Sequence, residues 1–210
     1  MQKTMPASAS SPRPVRLGLY GGTFDPVHHG HLIGARDALE QARLDAVVWI
    51  PCAQSPHKPG VAPTPAADRL ALLRKALAAV GEPRFVISTI EISQPAPSYA
   101  IETVLTFRSV FPDAELFWIV GADQVAKLGT WKDAAALRRL VTFLVMDRPG
   151  TGPGLRLRLP KGQRIVALPS PRVVGISATE IRHRVKAGLP VAHLVPGPVA
   201  AHIAKRKLYR

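Results

Sequence analysis

The stretch VRLGLYGGTFDPVHHGHL, residues 15–32, fixes how the rest of the chain is read. Val15 to Tyr20 is a short apolar run broken by Arg16, and Gly21-Gly22 ends it, the pattern of a strand entering a tight glycine turn. Directly after it, HLIGARDALEQARL places Leu32, Ala35, Leu39 and Ala42 at helical spacings over residues 31–44. AVVWIP at residues 46–51 then reads as a buried strand stopped by Pro51. Strand, helix and strand in that order form a β-α-β unit, whose two strands run parallel.

Working outward, the same alternation continues. Residues 51–65 are dominated by proline with small and polar residues and read as a loop above the sheet. Helical patterns are predicted over 66–80 and 98–110, and strands over 85–88 and 114–120, the latter ending at Gly121. Residues 131–140 and 141–146 add another helix and strand, and Arg148 to Gly162 is a Gly- and Pro-rich excursion before a strand over 164–168. Ser177 is placed to cap a helix beginning at Ala178, with Glu180 at the reciprocal capping-box position. A final helix is expected over 200–208, after turns at Pro196 and Pro198. The order predicts an α/β fold, a parallel sheet flanked by helices. Residues 1–14 are expected to be a flexible leader. Residues 15–210 are expected to form a single domain with a helical C-terminal part.

The 210 residues carry 28 Lys and Arg against 14 Asp and Glu, for a net charge of +14. With 47% hydrophobic and 20% charged residues, the composition excludes disordered and fibrous classes and supports a sizeable core. Cys52 is the only cysteine, which rules out an intrachain disulfide and a thiolate metal cluster and fits a cytoplasmic setting. The leader has no apolar stretch of signal-peptide or membrane-spanning length. From Arg148 onward there are 13 Lys or Arg residues and one acid, Glu180. Such a field attracts a nucleic acid, an anionic membrane or a small phosphorylated substrate, or it serves solubility; composition does not choose between them.

The strand–glycine–helix junction is suited to phosphate chemistry. Glycine lets a ligand approach the backbone, and amides at a helix start face a polyphosphate. His28 and His31, three positions apart, can point into one site. A zinc site would need further compatible ligands that no compact Cys/His set supplies. Asp25 either satisfies exposed amides at the turn or helps organise a magnesium-bound substrate. Cys52, with no evident base, reads as a small buried residue.

Residues 21–31 resemble the HxGH signature of the nucleotidyltransferase superfamily, here His28-His29-Gly30-His31. Residues 176–182, ISATEIR, resemble its second signature, ISSTxxR, with Ala178 in place of the second serine. GGTFDPVHHGHL, Pro56-His57-Lys58, Gly121-Ala122-Asp123 with Trp131, and Arg148-Pro149-Gly150 look in particular like the bacterial nicotinate-nucleotide adenylyltransferase family. The resemblance runs from about Val15 to Tyr209. It implies a Rossmann-like nucleotidyltransferase fold and transfer of AMP from ATP to nicotinate mononucleotide, giving deamido-NAD and pyrophosphate in NAD biosynthesis. Mg2+ is implied as the companion of ATP, with no metal held by the protein. The partners the resemblance implies are those two small molecules, with no nucleic acid and no membrane expected, and a homo-oligomer is compatible.

The same resemblance implies site roles. His28, His31 and Arg182 are the catalytic candidates, stabilising phosphate charge without a protein nucleophile. ATP-side contacts are implied for Gly21, Gly22, Thr23, Phe24, Arg148, Ile176, Ser177 and Thr179. Acceptor-side contacts are implied for Asp25, His57, Lys58, Ser98, Tyr99, Ala100, Gly121, Asp123 and Trp131, the last as the aromatic that stacks on the pyridine ring. The segment PSYAIET at 97–103 departs from the family's SYTxDT, with Ala100 for Thr and Glu102 for Asp, so a hydroxyl donor is lost beside the pyridine carboxylate. Adenylyl transfer to nicotinamide mononucleotide or phosphopantetheine is therefore an alternative. A catalytically silent RNA-binding protein using the basic third is another.

Overall fold

Successive residues of each central strand face opposite sides of one sheet, and both sides are apolar. In β4 (Glu115–Gly121), Leu116, Trp118 and Val120 join one core cluster while Phe117 and Ile119 join the other. β2 (Ala46–Pro51) and β5 (Thr142–Met146) alternate likewise, Val47 and Trp49 against Val48 and Ile50, Leu144 against Phe143 and Val145. Strands buried on both faces belong in the middle of a parallel sheet covered by helices, and the structure, a computed structural model, has that form. It describes residues 14–56, 60, 62–146, 165–168 and 174–210. Nearly all of the expected leader lies outside them.

With β1 (Arg16–Gly22), β3 (Phe85–Ile87) and β6 (Ile165–Leu168), the described strands form one parallel sheet in the order β3-β2-β1-β4-β5-β6. Register is set at the centre, where Leu19 pairs with Val48 on one side and Trp118 on the other. One face is covered by α1 (His29–Gln41), α2 (Ala66–Val80), α6 (Ala178–Lys186) and α7 (Gly197–Arg206). The other is covered by α3 (Ala100–Val110) and α5 (Ala134–Leu140). A four-residue helix, α4 (Ala122–Val125), and a 3-10 turn at Leu128–Thr130 follow β4. This is the doubly wound, Rossmann-like α/β arrangement, and the strand order reverses between β1 and β4.

Four helix starts differ from the sequence reading. α3 begins at Ala100 rather than at 98, with Tyr99 extended before it, and α5 begins at Ala134 rather than at 131, with Trp131 extended and Asp133 turning the chain at φ of +48°. α1 begins at His29, capped by His28, so the histidines occupy its first turn; its last residue is Gln41, and Arg43 turns the chain with φ of +48°. α7 begins at Gly197 and takes Pro198 into its first turn, where proline's missing N–H costs no intrahelical bond. Among the described residues, no helix is long and apolar enough to cross a membrane.

Candidate active site

A cleft of about 520 Å3 opens where β1 and β4 end, at the reversal point of the strand order. Its walls come from the loop after β1, the loop after β2, the α4 region after β4, and the first turns of α1, α3 and α6.

The loop after β1 is shaped by packing. A Cβ on Gly21 would sit 2.8 Å from the Trp118 ring, which leaves no room for a side chain, and one on Gly22 would sit 3.0 Å from the Phe24 ring, which would have to give way. Phe24 takes φ of +49°, strained for a bulky residue. Its ring, 2% exposed, holds that turn by packing against Tyr20, His31 and Trp49 at centroid distances of 5.1 to 5.5 Å. The His28 backbone N–H donates to His31 Nδ1 at 3.3 Å, and the two imidazoles lie 3.7 Å apart at 30°. A neutral His31 with Nδ1 accepting carries its proton on Nε2, a donor. Gly30 belongs to the same arrangement, since a Cβ there would lie 3.1 Å from the His28 ring.

Across the cleft, Ser177 Oγ accepts from the Glu180 N–H at 3.1 Å and caps α6. Thr179 lies in that first turn and Arg182 at the start of the next, with Arg182 Nη2 donating to Thr179 Oγ1 at 3.3 Å and Nη1 donating to the Asp25 carbonyl at 2.8 Å. Two helix N-termini and a guanidinium thus border one space, an arrangement suited to polyphosphate. Ile176 packs against the core beside this turn.

The other end is aromatic. Trp131 stands edge-on to Trp118 at 6.2 Å, and Tyr99 caps α3 beside Ala100. Ser98 Oγ accepts from the Ala53 N–H at 3.0 Å and ties α3 to the loop after β2. Gly121 is buried at the end of β4, while Asp123 is exposed on α4 and accepts from Gln124 Nε2 at 2.7 Å.

Of the residues singled out from sequence, Gly21, Gly22, Thr23, Phe24, His28, His31, Ser98, Tyr99, Ala100, Gly121, Asp123, Trp131, Ser177, Thr179 and Arg182 all line this cleft. Asp25 lies beneath it, 8% exposed, its carboxylate accepting from the Tyr209 hydroxyl at 2.8 Å and the Thr64 N–H at 3.0 Å. His57, Lys58 and Arg148 lie outside the described residues.

Some residues carried no sequence signal strong enough to be singled out. Arg69, 1% exposed, donates to the carbonyls of Thr23, Thr64 and Ala53 at 2.7, 2.8 and 3.4 Å, binding the loops after β1 and β2 from below. Its one sequence mark was a charge inside the apolar stripe that continues at Leu72, Leu73 and Ala76. Glu91 also lines the cleft; burial pushes its carboxyl up, while bonds from Thr103 and Ser98 pull it back. Cys52, by contrast, was read from the sequence as a small buried residue and is one, 6% exposed; its Sγ donates to Thr23 Oγ1 at 3.7 Å, and burial raises its thiol above the usual range.

The described residues hold no group of three or more His, Cys, Asp or Glu side chains placed to bind a metal. A magnesium ion carried on ATP needs no such cage, because triphosphate oxygens and water fill most of its coordination. The donor set fits delivery in that form. Of the two carboxylates that line the cleft among the described residues, Glu91 is engaged by Thr103, and Asp123 is the exposed one able to support such an ion.

Known proteins share both the sequence and the shape. Residues 19–184 match the family described as cytidylyltransferase-like. A "probable nicotinate-nucleotide adenylyltransferase" of Methylacidiphilum infernorum is 43% identical over 194 residues, covering 92% of each chain. One of the same name from Thermus thermophilus is 42% identical over 196 residues, covering 93% of this chain and all of that one. The Plasmodium falciparum nicotinic acid mononucleotide adenylyltransferase complexed with NaAD superposes with a TM-score of 0.78 over 93% of this chain and 97% of its own, and at 15% identity that likeness concerns the fold. With its cleft at the strand-order reversal and a family match spanning both signature segments, the chain belongs to the cytidylyltransferase-like family of nucleotidyltransferases.

Proposed function

We propose that the protein transfers AMP from ATP to nicotinate mononucleotide, forming deamido-NAD and releasing pyrophosphate. The observation that carries this reading is the meeting, in one cleft, of the first turns of α1 and α6 at one end and the aromatic wall of Tyr99 and Trp131 at the other. The relatives at 40% identity and above, covering over 90% of this chain, bear names that specify the same acceptor.

In the proposed step, a phosphate oxygen of the mononucleotide attacks the α-phosphorus of ATP. A new P–O bond forms, and the bond from that phosphorus to the α,β-bridging oxygen breaks. The electron pair leaves on pyrophosphate. An anionic phosphate is already a nucleophile, so the protein's work is alignment and charge stabilisation. His31 Nε2–H and the Arg182 guanidinium are assigned to the triphosphate side, with His28 supporting the His31 ring from 3.7 Å. Ser177 and Thr179 hold the α6 start that presents Arg182. Gly21 and Gly22 give close backbone approach, and Trp131 with Tyr99 receives the acceptor ring. When bound with ATP, Mg2+ neutralises triphosphate charge and favours departure of pyrophosphate.

Pyrophosphate release by purified protein with ATP and nicotinate mononucleotide tests the reading. Release that requires both substrates and yields deamido-NAD is the expected result. Absence of release from folded protein that turns over phosphopantetheine instead would overturn the acceptor assignment.

A further inference from the structure

The aromatic end of the cleft carries a cation with no role in the scheme above. Lys132 follows Trp131, and both line the cleft. Its Nζ lies 2.7 Å from Glu102 Oε1 in the first turn of α3 and 4.3 Å from the centroid of the Tyr99 ring. The two contacts, both to the start of α3, give one position to a long side chain that would otherwise sample many rotamers in solvent. Ala100, between those two partners in sequence, offers the cleft only a methyl group and its backbone. Tyr99, Trp131 and Lys132 together make an aromatic wall with a fixed positive charge at its edge. That shape suits a flat ring bearing an anionic substituent, and the first amides of α3 add to the same preference.

We propose that Lys132, oriented by Glu102 and Tyr99, is the specificity-determining residue that recognises the carboxylate of the acceptor's pyridine ring. The inference rests on the adenylyl-transfer reading given above. An ammonium has three N–H donors, so Lys132 can keep its bond to Glu102 while donating to a second carboxylate. A neutral carboxamide at the same place accepts one hydrogen bond without the charge, so the ammonium favours the acid form of the acceptor. Glu102 opposes that preference electrostatically and serves it geometrically, and the two effects separate by substitution.

The test compares kcat/KM for nicotinate and nicotinamide mononucleotides, each with ATP, in wild type, Lys132→Gln, Lys132→Arg and Glu102→Gln. Both side chains are 47% exposed, so the variants are expected to fold with unchanged thermal midpoints. Lys132→Gln is expected to lower the acid-over-amide ratio by about tenfold or more, almost entirely through loss on the acid. Lys132→Arg is expected to stay within about threefold of wild type, since it keeps the charge. Glu102→Gln, which still accepts from Lys132 but removes the nearby negative charge, is expected to hold or raise the ratio. An unchanged ratio in Lys132→Gln, an equal loss on both acceptors, or a fall of the ratio in Glu102→Gln would each overturn the inference while leaving adenylyl transfer intact. A wild type that turns over neither mononucleotide overturns the reaction assignment and this inference together.

Discussion

The phenolic hydroxyl of Tyr209 donates a 2.8 Å hydrogen bond to Oδ1 of Asp25, joining segments 184 residues apart in sequence. Asp25 Oδ2 accepts from the Thr64 N–H and its backbone carbonyl accepts from Arg182, so one residue fastens the segment after α7, the loop after β2 and α6 to the loop after β1. Tyr209→Phe keeps the ring and removes this donor, and is expected to cost about 1.5–3 kcal/mol in urea unfolding at pH 8, the range for a hydrogen bond to a charged group. Burial, with the Asp25 charge beside it, also pushes the Tyr209 phenol well above the ordinary tyrosine range. The unfolded chain ionises this phenol near pH 10 while the folded chain keeps its proton, so the unfolded state binds fewer protons and wild-type stability falls as pH rises past about 10. Tyr209→Phe should fall less steeply; equal slopes for the two proteins would contradict the assignment.

Arg69 is the second fastening, and its partners are all carbonyls. Replacing it with methionine leaves the oxygens of Thr23, Thr64 and Ala53 without their buried donor, with an expected loss of about 3 kcal/mol or more. Arg69→Lys keeps the charge but not the fork, and should recover only part of that loss. Because the two loops it binds border the cleft, kcat/KM is expected to fall by about tenfold even under conditions where the variant stays folded. Full activity in folded Arg69→Met would show that the loops hold their positions without it.

The sheet was legible because its signal is local and redundant. AVVWIP reads as a strand from its own six residues, and α2 spans the residues its periodicity marks, 66–80. The start of α1 was not legible, since histidines cap it where sequence patterns lead one to look for Ser, Thr, Asp or Asn. α4 and the 3-10 turn at Leu128–Thr130 are too short to show a period. Glycine turns and signature residues pointed to the cleft, whereas the supports beneath it are long-range pairings. Nothing near Asp25 in sequence announces Tyr209, and nothing near Tyr99 announces Lys132.

Glu82 links acid stability to a position away from the cleft. Its carboxylate accepts from Arg84 at 2.9 and 3.0 Å and also pairs with Arg36, and these partners, the Arg84 hydrogen bond first, hold its carboxyl down to about 2. A depressed folded-state value stabilises the protein above the unfolded carboxyl's range near 4.5, and that contribution is lost as pH falls from there towards 2. Because Arg84 is 47% exposed, solvent screens the pair and the contribution at pH 7 is expected to be about 1 kcal/mol or less. Glu82→Gln should therefore be slightly less stable than wild type at pH 7 and indistinguishable from it near pH 2. A gap that persists at the acid end would assign the effect to packing.

His31 gives the sharpest test of the cleft's chemistry, because one ring has two separable tasks. Nδ1 accepts from the His28 N–H and secures the first turn of α1, while Nε2–H is the donor assigned to the triphosphate. Glutamine places an amide N–H near where imidazole places Nε2, but it has no acceptor at the Nδ1 position. His31→Gln is therefore expected to lose some helix-start stability yet retain part of the turnover, and His31→Ala to lose both. For His31→Ala the expected fall in kcat is about 100- to 1,000-fold, the scale for removing one preorganised donor from a developing negative charge. Because the donor acts on charge that grows as the bond to pyrophosphate breaks, the loss should fall on kcat more than on KM for ATP. Circular dichroism and a thermal midpoint establish that each variant is folded before its rate is read. A folded His31→Ala protein within about threefold of the wild-type kcat would remove His31 from the chemistry and leave it as a helix-capping residue.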